Sequence, residues 1–342
     1  MIRRGEANEL FVFAQALVGL LEPAPDAAEQ LVAVGVLGGD LDAQVELTLG
    51  RRVLLVFGEP AGLFQVGGRQ IDRRRLGRRF DRDCPAATRA ALEMVKDGKH
   101  PEFTGKRVWL ESGQKTRDNG ALVRCTPIGV FFLWDQAARI NATLEDAQIS
   151  HFSPQCQLAS VILNAVITAA ITCPKEKLDK VDALKAIEAE LSIAAAQLGR
   201  QLPDWVLQVK DASDWLREDI KASQDPDPML YGPELHLHLN ESWVRVTLRL
   251  ALWELWHAPT FEAALIDVIN RGGDADANAA VTGALFGAVH GATAIPERWS
   301  QDVLEVNGQG PLFSKYHPRE LMTLVQNLPE RPVKVAPGAV KK

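Results

Sequence analysis

Apolar residues recur at helical spacing through most of the chain. In "VDALKAIEAELSIAAAQLGR" (181–200), Val181, Leu184, Ile187, Leu191 and Leu198 fall on one stripe, and Gly199 reads as a stop. "PDWVLQVKDASDWLREDIKAS" (203–223) continues the pattern and predicts Trp205, Leu207, Trp215 and Ile220 near one face. Two shorter helices are predicted. "TRAALEMVKDG" (88–98) has a threonine cap and a glycine terminator, and "FEAALIDVIN" (261–270) is entered after Pro259 and Thr260. In "NAAVTGALFGAVHGA" (278–292), Gly283, Gly287 and Gly291 return every fourth residue. Glycine costs helix stability, so three on one stripe predict a buried central helix with another backbone packed closely against it.

One stretch resists. "WVRVTLRLAL" (243–252) alternates like a half-buried strand, yet it runs into "WELWHA" with no turn signal between them. The basic cluster "RQIDRRRLGRR" (69–79) reads as a solvated helix face. The opening "MIRRGEANELFVFAQALVGLL" reads as an amphipathic first helix, because Glu6 and Glu9 interrupt it and no clear cleavage site follows. Loops are expected at 173–177, 224–234 and 306–318. With no internal repeat and no clean linker, one mostly helical domain over 1–330 is the simplest account, followed by a flexible tail at 331–342.

Composition adds exclusions. Of 342 residues, 46% are hydrophobic and 24% charged, as in an ordinary globular chain. A net charge of -6 speaks against nucleic-acid binding, which needs a basic face. No apolar run looks long enough to cross a membrane. Cys84, Cys125, Cys156 and Cys173 are widely spaced with no CxxC pair, which predicts neither a zinc site nor a disulfide framework and favours a reducing, cytoplasmic setting.

The candidate chemistry begins at "RGGDADANAA" (271–280). Asp274 and Asp276 stand at the start of the glycine-striped helix, behind Gly272 and Gly273. Asp276 or Asn278 could simply cap free amides, since a helix N-terminus favours negative charge. Alternatively, two carboxylates one residue apart suit a hard cation such as magnesium, and the glycine pair lets backbone approach a ligand. In "TRDNGALVRCTPIGVFF" (116–132), Asn119-Gly120 is a turn signal, after which a helical run starts. Exposed amides there and Arg124 could meet a phosphate, though on these residues alone a plain turn is the better reading. In "EDAQISHFSPQCQLASVILNAVI" (145–167), Ser150 and His151 precede another apolar helix, where a histidine is more often a satisfied polar group than a catalyst. His236 and His238 in "LHLHL" lack a third ligand nearby and read as an accident of composition. No G-x-S-x-G nucleophile elbow is present.

Taken together, these stretches resemble the ADP-ribosylglycohydrolase family. "RDNGALVRCTPIGV" is similar to its G-N-G-x-x-M-R-x-x-P-x-[GA] segment, and "AQISHFSPQCQLAS" to its threonine/serine-histidine-x-x-P helix start. "INRGGDADANAAVTGALFGAVHGATAIPERW" is similar to its G-G-D-x-D-T segment and the glycine-spaced helix after it. The resemblance covers roughly 88–300 and makes 243–257 a helix. It implies an all-α bundle of the ADP-ribosylglycohydrolase type with a dinuclear magnesium centre at the base of a cleft. It also implies hydrolysis of the glycosidic bond between ADP-ribose and a protein side chain or small acceptor. On that basis Asp274 and Asp276 would bind metal. Asn119, Gly120 and Arg124 would wall the diphosphate and ribose, Ser150 and His151 would flank the cleft, and Gly272 and Gly273 would admit the substrate.

The chain departs from the family at two places. Ala277 stands where the family has a metal-binding hydroxyl, and no T-D-D or S-D-D occurs anywhere. "AVGVLGGDLDAQVEL" (33–47) is similar to the family's opening and offers Asp40, Asp42 and Glu46, while 53–80 resembles the helix that follows T-D-D. Two divalent ions need acidic oxygens on several sides, so these departures predict the loss of at least one magnesium. They leave open an alternative: a catalytically lapsed member that binds ADP-ribose or acts as an interaction protein.

Overall fold

The computed structural model describes residues 63–66, 69–72, 86–173, 178–226 and 242–305. Its elements in chain order begin with a two-stranded antiparallel hairpin, β1 (Leu63–Val66) and β2 (Arg69–Asp72), in which Leu63 pairs with Asp72 and Val66 with Arg69. Helices follow: α1 (Ala86–Lys96), α2 (Pro101–Glu111), the short α3 (Gly120–Arg124) and α4 (Thr126–Phe131), then α5 (Gln136–Gln148), α6 (Pro154–Thr172) and α7 (Lys180–Gln201). A 3₁₀ turn, Pro203–Trp205, leads into α8 (Val206–Ala222). The last are α9 (Val244–His257), α10 (Phe261–Arg271), α11 (Ala275–His290), a 3₁₀ turn at Ala292–Ala294, and α12 (Glu297–Leu304). The described chain is thus a helical bundle carrying one small hairpin.

Two helices form its centre. In α6 every residue from Pro154 to Thr168 is buried, and α11 is buried from Asn278 to Val289. A helix apolar on all sides has to sit inside others. α6 packs against α4, α5, α7, α8, α9 and α11, while α11 packs against α6, α9 and α10. Against expectation, α6 does have the length and apolarity to reach across a bilayer. Its apolar faces are used up by neighbouring helices, so it serves as the core helix of the bundle.

Several sequence expectations need correction. The segment 243–252 is helical, as the resemblance implied, and its alternation misled because Val244 through Leu252 are all buried. Its two arginines, Arg245 and Arg249, are one turn apart and converge on Asp219 of α8. The basic cluster does not begin as a helix face, nor does 53–80 form one unbroken helix: the "LFQV" and "RQID" runs flank Gly67-Gly68 and pair as strands. Glycine pairs between short alternating runs are hairpin signals. Helix α1 starts at Ala86, so Thr88 lies inside it, buried, rather than capping it. Gly199 does not stop α7, which continues to Gln201, and Val181 is exposed at 58%. In α8 the inward face is Val209, Ala212, Leu216 and Ile220, while Leu207 and Trp215 are largely exposed. The 3₁₀ turn shifts the helical phase, which a single periodic reading from Pro203 onward could not register. The helical run after Gly120 is broken into α3 and α4 ahead of Pro127, which takes an N-terminal position of α4. Thr260 does cap α10, accepting from the Ala263 amide at 3.1 Å. The expected first helix, Cys84, Asp40, Asp42, Glu46, His236, His238 and the tail lie outside the described residues.

Candidate functional site

The turn before α3 is held against the start of α9 by two backbone bonds. The Asn119 amide donates to Ser242 O at 2.8 Å and the Val244 amide to Arg117 O at 3.0 Å. This brings Asn119 to the point where α9 and α11 both begin. Its side-chain amide is fully buried and donates twice, to Thr247 Oγ1 of α9 at 3.0 Å and to Asp274 Oδ2 at 2.8 Å. Residues 155 positions apart in sequence are thereby joined by one charge-assisted bond.

Asp274 reaches that position from a constrained turn. Gly272, which ends α10, and Gly273 both have positive φ, +80° and +68°, a conformation that side-chain-bearing residues rarely adopt. The glycine pair therefore shapes the chain reversal from α10 to α11. Asp274 occupies the N-cap position of α11 but makes no side-chain capping bond, its carboxylate being turned to Asn119. The N-cap position thus belongs to Asp274 rather than to Asp276 or Asn278, the two residues expected to cap. Asp276 is exposed in the first turn. Asn278, one turn beyond Asp274, is fully buried, and neither of its amide atoms finds a partner among the described residues.

A second network lies beside the first. His151 is completely buried, with Nε2 2.5 Å from Asp118 Oδ1 and Nδ1 2.8 Å from Ser150 Oγ. Arg124 Nη1 donates to the same Ser150 Oγ at 2.7 Å, which leaves the serine hydrogen free to point at Nδ1, while Nε2 faces the Asp118 carboxylate. Arg124 is itself engaged through Nε with the Asp146 carboxylate and through Nη2 with the Asp146 carbonyl at 2.6 Å. Asp118 Oδ1 also accepts the Gly120 amide at 3.2 Å. Burial pushes the Asp118 carboxyl up, but the opposing effects of His151, the Gly120 amide and Arg124 outweigh it and hold the group below its ordinary value. Gly120 has to be glycine here: a Cβ would stand 2.9 Å from both His151 Cε1 and Thr88 Oγ1.

The structure thus brings Asn119 to Asp274, and it links Gly120, Arg124, Ser150 and His151 into the adjoining network. Three participants escaped the sequence reading: Asp118, Asp146 and Thr247. Asp118 could have been noticed, because it stands where the G-N-G pattern has its first glycine. Thr247 was hidden in a segment whose helical character its pattern obscured.

The donors at this turn are carboxylate oxygens, the type a hard cation takes. Asp274 and Asp276 supply anionic oxygens at a helix start, and magnesium completes its shell with water and substrate oxygens. Among the described residues no third acidic, histidine or cysteine side chain gathers there, and Ala277 offers no oxygen from its side chain. A second ion finds no matching set of ligands among these residues.

An acidic turn at the head of a buried helix is thus clasped by an asparagine-glycine loop within the helical bundle. The model of one family, ADP-ribosylglycohydrolase, matches residues 13–334. This chain belongs to the ADP-ribosylglycohydrolase family. It is 22% identical over 207 residues to ADP-ribosylarginine hydrolase Tri1 of Pseudomonas putida, covering 57% of this chain and 46% of that protein. Against ADP-ribosylarginine hydrolase Tri1 of Serratia proteamaculans it is 25% identical over 235 residues, covering 67% and 52%. Thus the chain spans about half the length of these curated relatives. A putative ADP-ribosyl glycohydrolase, L543, of Acanthamoeba polyphaga mimivirus is 38% identical over 73 residues, 20% of this chain and 22% of that one. A solved structure described as an ADP-ribosylglycohydrolase-related protein complex aligns at a TM-score of 0.45 and 18% identity, covering 95% of this chain and 97% of that chain.

Proposed function

We propose that this chain hydrolyses the glycosidic bond between ADP-ribose and an acceptor, with ADP-ribosylated arginine as the first substrate to test. The observation that carries the reading is the 2.8 Å bond from Asn119 to Asp274, which joins two of the family's motifs at one place. The names of the Pseudomonas and Serratia relatives supply the choice of arginine. A magnesium ion held by Asp274 and Asp276 would supply a Lewis acid and a template for a water and the ribose hydroxyls. The protein's own part is orientation. Asn119 fixes the rotamer of Asp274, and Arg124, anchored by Asp146, fixes the Ser150–His151 turn. The purified chain with magnesium is expected to release ADP-ribose from ADP-ribosylarginine, and Asp274→Asn or chelation should abolish the release. No release from modified arginine, modified serine or O-acetyl-ADP-ribose would overturn hydrolysis.

One set of observations favours a second reading, a lapsed member that binds ADP-ribose without turnover. Ala277 offers no side-chain oxygen where the family has a metal-binding hydroxyl, and the side-chain donors of Asn119, Arg124 and His151 are engaged within the protein. Calorimetry distinguishes the two. Binding of ADP-ribose without its release from any substrate supports the second reading, and tight binding of two magnesium ions counts against it.

A further inference from the structure

Arg117 stands two residues before Asn119, on the segment that the start of α9 holds in place. Its carbonyl accepts the Val244 amide at 3.0 Å, and Asp118 pairs with Trp243 in an isolated antiparallel bridge. The Arg117 guanidinium lies 3.9 Å from the centroid of the Trp243 ring, a cation stacked on an aromatic face. That ring is buried, and its Nε1 donates to Gln155 Oε1 of α6 at 3.1 Å, so the platform under the arginine is rigid. Arg117 is nonetheless exposed, and among the described residues no carboxylate or other acceptor holds its N–H groups. The other arginines around the site are each neutralised: Arg124 by Asp146, Arg245 and Arg249 by Asp219, and Arg271 by Asp267. Burial against its neighbours, then the charge of Arg245, pull the Arg117 pKa down, against an opposite effect of Cys156. An arginine stays charged all the same. An oriented positive charge is therefore left uncompensated beside the turn that holds Asn119.

We propose that Arg117, stacked on Trp243, is a substrate-binding residue that holds the diphosphate of the ADP-ribose unit. The ligand in this statement rests on the reading given under Proposed function. Reach supports the assignment. Asn119 meets Asp274 at 2.8 Å, and Arg117 is at most about 7 Å of chain from Asn119. A ribose held at Asp274 carries its diphosphate one carbon beyond the ring, within range of an arginine side chain placed there. Elimination supports it as well. The side-chain donors of Asn119, Arg124 and His151 are engaged with Asp274, Thr247, Asp146, Ser150 and Asp118, whereas those of Arg117 are open. The surroundings also carry an opposing effect, since the carboxylates of Asp118, Asp274 and Asp276 repel an anion. His151 meets the first and Asn119 the second, while Asp276 is exposed and screened by solvent. A fixed guanidinium offsets what repulsion is left. Stacking occupies its face and leaves its edge, where the N–H donors lie, for two phosphate oxygens at once.

Calorimetry on the full chain, with ADP-ribose and ADP as probes, tests the contact. Arg117→Gln should weaken both about thirtyfold, the loss of one bidentate contact between charged groups. Raising salt from about 0.1 M to about 1 M shortens the screening length from ~10 Å to ~3 Å. That change should weaken binding in the wild type far more than in Arg117→Gln, a difference that an arginine with a merely structural role would not produce. Arg117→Lys restores the charge without the planar fork and should recover only part of the affinity. Equal affinities of wild type and Arg117→Gln for both probes overturn the proposal, as does a wild type that binds neither. Turnover assays separate the two readings. Affinity that depends on Arg117, with no ADP-ribose released from any substrate, removes hydrolysis and leaves the contact standing. Release of ADP-ribose with unchanged affinity in Arg117→Gln removes the contact and leaves hydrolysis standing.

Discussion

Gly105→Ala provides the sharpest test of how the second network is assembled. Gly105 lies on the face of α2 that meets the end of α5, and a Cβ built on it would stand 2.1 Å from Gln148 O and 2.9 Å from Ser150 N. Both are backbone atoms, so no side-chain rotation relieves the clash, and α2 would have to retreat by about 1 Å for ordinary contact. That retreat also strains the bond from Thr104 Oγ1 to Ile149 O at 2.9 Å. Overpacking of this kind costs ~1–3 kcal/mol, and the lost hydrogen bond ~1 kcal/mol. The better helix propensity of alanine returns ~1 kcal/mol. The net expectation is a loss of about 2 kcal/mol, equivalent to a Tm drop of about 3 °C in a chain of this size. Gly199→Ala is the matched control. It sits inside α7 with nothing within 4 Å of its would-be Cβ, and the same substitution there should stabilise by ~0.5–1 kcal/mol. Urea and thermal melts followed by circular dichroism measure both. If Gly105→Ala is as stable as wild type, the close approach of α2 to the turn bearing Ser150 and His151 is wrong.

Two further substitutions probe the buried charges. Asp219→Asn leaves Arg245 and Arg249 facing a neutral amide in the interior and should cost ~3–5 kcal/mol, so a urea midpoint shift worth less than ~1 kcal/mol would refute the pairing. Asp118 has a depressed carboxyl, so its stabilising share is present above the ordinary value of 3.8 and lost as pH falls through the lower folded value. Wild type should therefore exceed Asp118→Asn in Tm at pH 6, with the gap closing below pH 3.8. A gap that stays constant with pH would show that the carboxylate charge does not stabilise the His151 pairing.

Local chemistry was the part most legible in the sequence. The glycine pair at 272–273, the Asn119-Gly120 turn and the long apolar runs of α6 and α11 each follow from a few neighbouring residues, whereas the threonine cap expected at Thr88 is found instead at Thr260. The errors came where local pattern and global packing diverge. Val244–Leu252 alternates because Arg245 and Arg249 are buried on a common carboxylate from α8, a partner no periodicity could reveal. Leu207 and Trp215 were assigned inward because the phase of α8 depends on a 3₁₀ turn before it.

The sequence by itself determined that this chain folds as helices around two apolar centres, and that three motif segments carry its chemistry in a fixed order. Only the tertiary structure decided what those segments do to one another. It turned Asp274 away from its own helix toward Asn119, engaged Arg124 with Asp146, and paired His151 with Asp118. The physical reason is range. Helix propensity, caps and glycine turns act over a handful of residues, whereas a carboxylate's partner is whichever donor the packed backbone brings within about 3 Å, however distant it is along the chain.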